Sequence, residues 1–196
     1  MRPYKIAPDL YVIEDFVTEE QQKEILEFAS SITESSWQRN SWIPPENFFY
    51  GKMYTHEHPV VFQTVLENVK NIVYSLYSEE DLNITLLRHK PGQSMNYHKD
   101  NHPHSGDTVR YGICIYYNDD YDGGALHYPD LDITHKPKAR SLVIHGGNLL
   151  HGTTKVKGKN YRYFSTCFIK GSARYPALLN SELFKDIEES DGSFYY

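Results

Sequence analysis

The chain has 196 residues, a formal net charge of −6 and two cysteines. That length suffices for a domain with its own core, the acidic balance argues against non-specific binding to nucleic acid or anionic membranes, and two cysteines make no disulfide framework. No run approaches the roughly 18 apolar residues that span a bilayer, and the opening MRPYKIAPDLYVIEDF has neither an apolar h-region nor a small-residue cleavage site, so a cytoplasmic location is expected.

Asp9–Phe16 reads as a short strand or extended entry. In DFVTEEQQKEILEFASSI, Thr18 and Gln21 have the spacing of a capping box with acids in the first turn, which predicts a helix over 18–32. Residues 33–52 mix Ser, Asn, Pro and Gly with aromatics and read as irregular. Val60, Val61, Val65, Val69, Ile72, Val73 and Leu76 recur mostly at three- and four-residue steps and predict a second helix over 59–78.

Beyond Asp81 short β-branched and aromatic runs predict strands at 83–89, 108–117, 125–128, 140–145 and 161–169. Between them NDDYDGG, PDLD, HGGN and VKGKN carry turn chemistry. The expected class is α+β, mainly β, with a sandwich or barrel after two helices. One domain is expected over 1–196, with helical support in 1–80, a β core in 81–172 and a C-terminal tail in 173–196 that is acidic from Glu188. The basic run KVKGK at 155–159 reads as a solvated loop, and Cys114 and Cys167 as small buried residues.

Tyr97-His98-Lys99-Asp100 is the sharpest local feature. Residues i and i+2 of a strand share a face, so His98 and Asp100 present an imidazole and a carboxylate side by side. With one distant histidine they make a 2-His-1-carboxylate set, which leaves three positions open on non-haem Fe(II). Those positions suit a chelating 2-oxo acid and dioxygen. His151 is the expected third ligand, and Arg162, eleven residues later, can return on the next strand to grip a carboxylate bidentately. His145, His127 and His135 are rivals to His151, with Lys155 or Lys157 the matching cations for His145, and Lys159 is the fallback for Arg162.

With these elements in place, residues 86–170 resemble the prolyl 4-hydroxylase-like branch of the 2-oxoglutarate/Fe(II)-dependent dioxygenases. The resemblance rests on PGQ at 91–93, YHKDN at 97–101, Arg110 to Tyr117, YDGGALHYP at 121–129, KPKARSLVIH at 136–145, HG at 151–152 and YRY at 161–163. It implies a double-stranded β-helix (jelly roll, cupin-like) with N-terminal supporting helices. It implies iron on His98, Asp100 and His151, and Arg162 on the distal carboxylate of 2-oxoglutarate with the Tyr117 hydroxyl beside it. Ile115 and Leu126 would line that pocket, and Gly123-Gly124 would form the tight turn next to it.

The implied chemistry is hydroxylation of an unactivated C–H bond, decarboxylating 2-oxoglutarate to succinate and CO2. Dioxygen is the co-reactant, ascorbate a further candidate cofactor, and a peptidyl proline the expected substrate. A carboxylate at Asp100, where halogenating relatives carry a small residue, favours hydroxylation. A free amino acid or other small molecule is the alternative substrate, and a zinc hydrolase or a non-catalytic cupin-like module are rival readings. The chain departs from its relatives at His89, where tyrosine is common, at Ser94 and Met95, where an aromatic is common, at His145, where Phe is usual, and in using Arg162 rather than the lysine of collagen-type enzymes. His102 and His104 read as solvated or substrate-proximal, and Arg110 as a strand support or a cleft-rim residue.

Overall fold

A computed structural model describes residues 1–39, 52–54, 58–75, 82–101, 108–171, 177–185 and 187. Its strands run β1 (Arg2–Ala7), β2 (Leu10–Glu14), β3 (Gln38–Arg39), β4 (Lys52–Tyr54), β5 (Val73–Ser75), β6 (Thr85–His89), β7 (Met95–His98) and β8 (Val109–Tyr116). They continue as β9 (Asp122–Gly123), β10 (Leu126–Tyr128), β11 (Ile133–His135), β12 (Leu142–Gly146), β13 (His151–Thr153), β14 (Val156–Lys157), β15 (Arg162–Lys170) and β16 (Ala177–Leu179). Helices α1 (Glu19–Ser31) and α2 (Val60–Ile72) precede most of the sheet, and a short α3 (Ser181–Phe184) follows it.

The capping box at Thr18 forms as expected. The Thr18 hydroxyl accepts from the Gln21 amide at 3.2 Å, and the Gln21 side chain accepts from the Thr18 amide at 3.0 Å. Ile25 and Ala29, four residues apart, are buried on one face of α1. Helix α2 buries Val61, Phe62, Val65, Val69 and Ile72. It ends six residues before the expected boundary, because Val73–Ser75 leaves the helix and pairs antiparallel with β16. β-branched Val73 fits that ladder better than a last helical turn. Residues 76–78 of the expected helix, residues 40–51, His102, His104 and the tail from 188 lie outside the described residues.

Two antiparallel sheets form the β part. The larger has the order β1-β2-β12-β8-β15-β6-β4-β3, and the smaller β11-β10-β13-β7. Strands β1 to β4 all come from the first 80 residues, so that stretch contributes sheet as well as helical support. One face of the large sheet packs on α1 and α2 through Ile113, Ile115, Tyr117, Leu142, Ile144 and Cys167. Its other face packs on the small sheet: Cys114, Tyr116, Val143 and Phe164 from the large sheet meet Leu126 and Tyr128 from the small one. This is the double-stranded β-helix expected from the sequence. Among the described residues no helix is long and apolar enough to cross a membrane.

Removing the cap isolates the contribution of α1. Thr18→Ala is expected to lower the unfolding free energy by about 1 kcal/mol, read as a lower denaturant midpoint at unchanged slope.

Candidate metal centre and anion pocket

Strands β7 and β13 are hydrogen-bonded neighbours, and their register sets His98 directly opposite His151. Asp100 follows two residues after His98, where the chain is tied down by the Asn101 amide on the Gly147 carbonyl at 2.9 Å. One ligand atom from each of His98, Asp100 and His151 lies within 4.8 Å of the others. The sequence pattern therefore converges in space. His98 Nδ1 sits 2.9 Å from the Asn96 carbonyl, and His151 Nδ1 sits 3.0 Å from the Leu149 carbonyl. A carbonyl only accepts, so each Nδ1 carries a proton, which leaves Nε2 as the atom that would face a metal.

Asp100 is nearly buried, with its side chain 5 % exposed. Burial alone would raise its pKa, but hydrogen bonds from His145 and His98 hold the carboxyl far below the usual range. His98 shows the mirror balance: burial disfavours its charge, and the hydrogen bond and charge of Asp100 outweigh this and raise it. Burial, then the neighbouring His145, pushes His151 down to about 3. Of the rival histidines, His127 bonds the Tyr97 hydroxyl at 2.6 Å, His135 is buried on β11, and His145 bonds Asp100. None of these three joins the His98, Asp100 and His151 group.

Arg162 opens β15 and is fully buried, 1 % exposed. Its Nη2 donates to the Tyr116 hydroxyl at 3.1 Å, and its Nη1 lies 3.4 Å from His89 Nδ1. The guanidinium sits 4.2 Å from the Phe164 ring centre and 5.0 Å from that of Tyr116. No carboxylate among the described residues pairs with it. Burial, then the charge of Arg162, pushes His89 well below its usual pKa, so it is a neutral partner that accepts at Nδ1. Arg162 Nε, His89 Nε2 and the Tyr121 hydroxyl are all buried without a hydrogen-bond partner. Buried unpaired donors around an uncompensated cation fit a buried anion. The exposed lysines 155, 157 and 159 are not placed to serve.

Two sequence expectations are corrected. Tyr117 and Ile115 do not face this pocket: both belong to the core against the helices, where the Tyr117 hydroxyl donates to Ser165 Oγ at 2.8 Å and its ring meets Phe62. Successive strand residues point to opposite faces, so the pocket receives Tyr116 and Cys114 instead. Leu126 lies in the inter-sheet core with Tyr116 and Phe164. Gly123 and Gly124 both adopt positive φ (61° and 63°), and a side chain at Gly124 would crowd Tyr121 and Arg162. Arg110 pairs with Asp9 at 2.9 Å and stacks on Tyr111, which makes it a strand support.

No protein-family model matches the chain, and none of the curated proteins compared with it does. Solved structures do. The 2-oxoglutarate complex of viral collagen prolyl hydroxylase from Paramecium bursaria Chlorella virus-1 matches at TM-score 0.56 and 15 % identity, covering 84 % of this chain and 97 % of that one. A Trichoplax adhaerens prolyl hydroxylase bound to a hypoxia inducible factor peptide fragment matches at TM-score 0.58 and 12 % identity, covering 82 % of each chain. HygX from Streptomyces hygroscopicus, with nickel, 2-oxoglutarate and hygromycin B bound, matches at TM-score 0.54 and 12 % identity, again covering 82 % of each. In fold, the chain is a double-stranded β-helix similar to those of these prolyl hydroxylases and of HygX.

Proposed function

We propose that the protein is an Fe(II)- and 2-oxoglutarate-dependent dioxygenase that hydroxylates a peptidyl proline. The observation that carries this is a buried, acid-free Arg162 ringed by unpaired donors, in the same inter-sheet core as a His-Asp-His cluster. A zinc hydrolase or a plain binding module gives no task to that cation. A mononuclear metal would be held by His98 Nε2, Asp100 Oδ1 and His151 Nε2. Bound there, iron with 2-oxoglutarate supplies oxidative C–H chemistry coupled to decarboxylation of the co-substrate.

The chain's own residues supply position and dryness. Arg162 and Tyr116 grip the distal carboxylate, and His89 adds a neutral donor from Nε2. Leu126, Tyr128 and Phe164 keep water from the space between the sheets. A prolyl substrate is supported by the prolyl-hydroxylase neighbours, one of them carrying a peptide. A small-molecule substrate is the second reading, favoured by the hygromycin B bound to HygX. Incubation with proline-containing peptides and with free amino acids, read as succinate release above the uncoupled background, separates the two.

Anaerobic titration of Fe(II) and 2-oxoglutarate tests the class. A weak visible charge-transfer absorption is expected for the wild type. It is expected to vanish in His151→Ala and to need roughly 10- to 100-fold more 2-oxoglutarate in Arg162→Ala, the cost of losing charge-assisted hydrogen bonds. A folded, iron-loaded wild type without the absorption overturns the assignment. The same titration distinguishes the two tyrosines. Tyr116→Phe is expected to weaken 2-oxoglutarate binding about 5- to 10-fold. Tyr117→Phe is expected to leave that affinity alone and to cost about 1 kcal/mol of stability through the lost Ser165 bond.

A further inference from the structure

The geometry points to His145 as a positioning residue that holds Asp100 in a one-oxygen presentation to the metal. This rests on reading His98, Asp100 and His151 as a metal site. His145 lies on β12 in the large sheet, across from the small sheet that carries the two histidine ligands. It is 1 % exposed, and its Nε2 lies 2.9 Å from Asp100 Oδ2. The other oxygen, Oδ1, faces His98 Nε2 at 3.5 Å and His151 Nε2 at 3.8 Å. The two carboxylate oxygens thus have separate tasks: Oδ2 is occupied by protein, and Oδ1 turns toward the two ligand nitrogens.

The hydrogen-bond chain fixes which atom carries the proton. An ionised carboxylate only accepts, so His145 Nε2 must donate. His145 Nδ1 then accepts from the Tyr128 hydroxyl, 3.3 Å away and buried. Burial holds that hydroxyl protonated, well above its usual pKa. A phenylalanine at 145, usual in the relatives this sequence resembles, could fill the space and could not donate.

Room for the contact comes from β8. A methyl group at Gly112 would overlap both Asp100 Oδ2 and the His145 ring. Gly112 pairs with His145 across the ladder, so the missing side chain lies where the two groups meet.

The consequence is chemical. A carboxylate free to rotate can bind a metal through both oxygens and take one of the three positions that a chelating oxo acid and dioxygen need. With Oδ2 tied to His145, Asp100 offers one oxygen. Hydrogen-bond partners of metal ligands typically contribute 10- to 100-fold to metal affinity.

The test uses Co(II) as a spectroscopic probe on the metal-free full chain, with circular dichroism and thermal unfolding of each metal-free variant as the control on folding. Wild type that fails to bind Co(II) overturns the metal-site reading itself. Given wild-type binding, His145→Phe is expected to weaken Co(II) by about 10- to 100-fold. His145→Gln, whose amide N–H reaches the same oxygen, is expected to restore affinity to within about threefold with the wild-type d–d spectrum. Wild-type affinity in folded His145→Phe overturns the inference, and so does a His145→Gln protein with a changed spectrum, which would make His145 a ligand. Should His145→Phe not fold, the long-range proton–nitrogen correlation spectrum of metal-free wild type decides. An Nε2–H tautomer at His145 supports the inference, and an Nδ1–H tautomer overturns it.

Discussion

A carboxylate buried between two sheets is the constraint on which the rest of this molecule depends. An ionised group at that depth is costly unless every lone pair is answered. Asp100 Oδ2 is answered by His145 on β12, and Oδ1 turns toward the rings of His98 on β7 and His151 on β13. Those strands belong to both sheets, so the spacing of the two layers and the placement of the candidate ligands are one problem. Gly112 shows how tight the solution is, since the large sheet gives up a side chain to admit the carboxylate. Arg162 states the complementary case. It is a buried cation that the described residues leave without an acid, and buried polar atoms without partners surround it.

Much of this was legible in the sequence because the information was local or periodic. The capping box at Thr18 and Gln21 located α1, and the β-branched runs located β6, β8, β10, β12 and β15 to within a few residues. His98 and Asp100 needed only the two-residue period of a strand end. His151 and Arg162 followed because they lie only eleven residues apart, although the short β14 intervenes and β13 and β15 belong to different sheets. The end of α2 was not legible. Val73 continues the helical apolar pattern, and only its pairing with Leu179, more than a hundred residues away, turns it into a strand.

The tyrosine pair at 116 and 117 shows a different limit. Strand β8 is buried on both faces along most of its length, so its sequence YGICIYY carries no alternation of polar and apolar residues. Which tyrosine faces the pocket is a parity question, and a one-residue slip exchanges the faces completely. Tyr116 meets Arg162 and Tyr117 meets Ser165 and Phe62. The role of His145 was hidden for a related reason. On an apolar strand it reads as an ordinary core histidine, and its partner Asp100 is 45 residues away.

Strand β7 closes the small sheet and, among the described strands, pairs only with β13. The ladder that brings His98 and His151 together therefore lies at the edge of that sheet. An ion shared by those two rings would act as a cross-link between segments 53 residues apart in the chain. Binding only to the closed ladder raises its opening free energy by RT ln(1 + [ion]/Kd). Amide exchange along Met95–His98 would then report metal occupancy at the margin of the sheet.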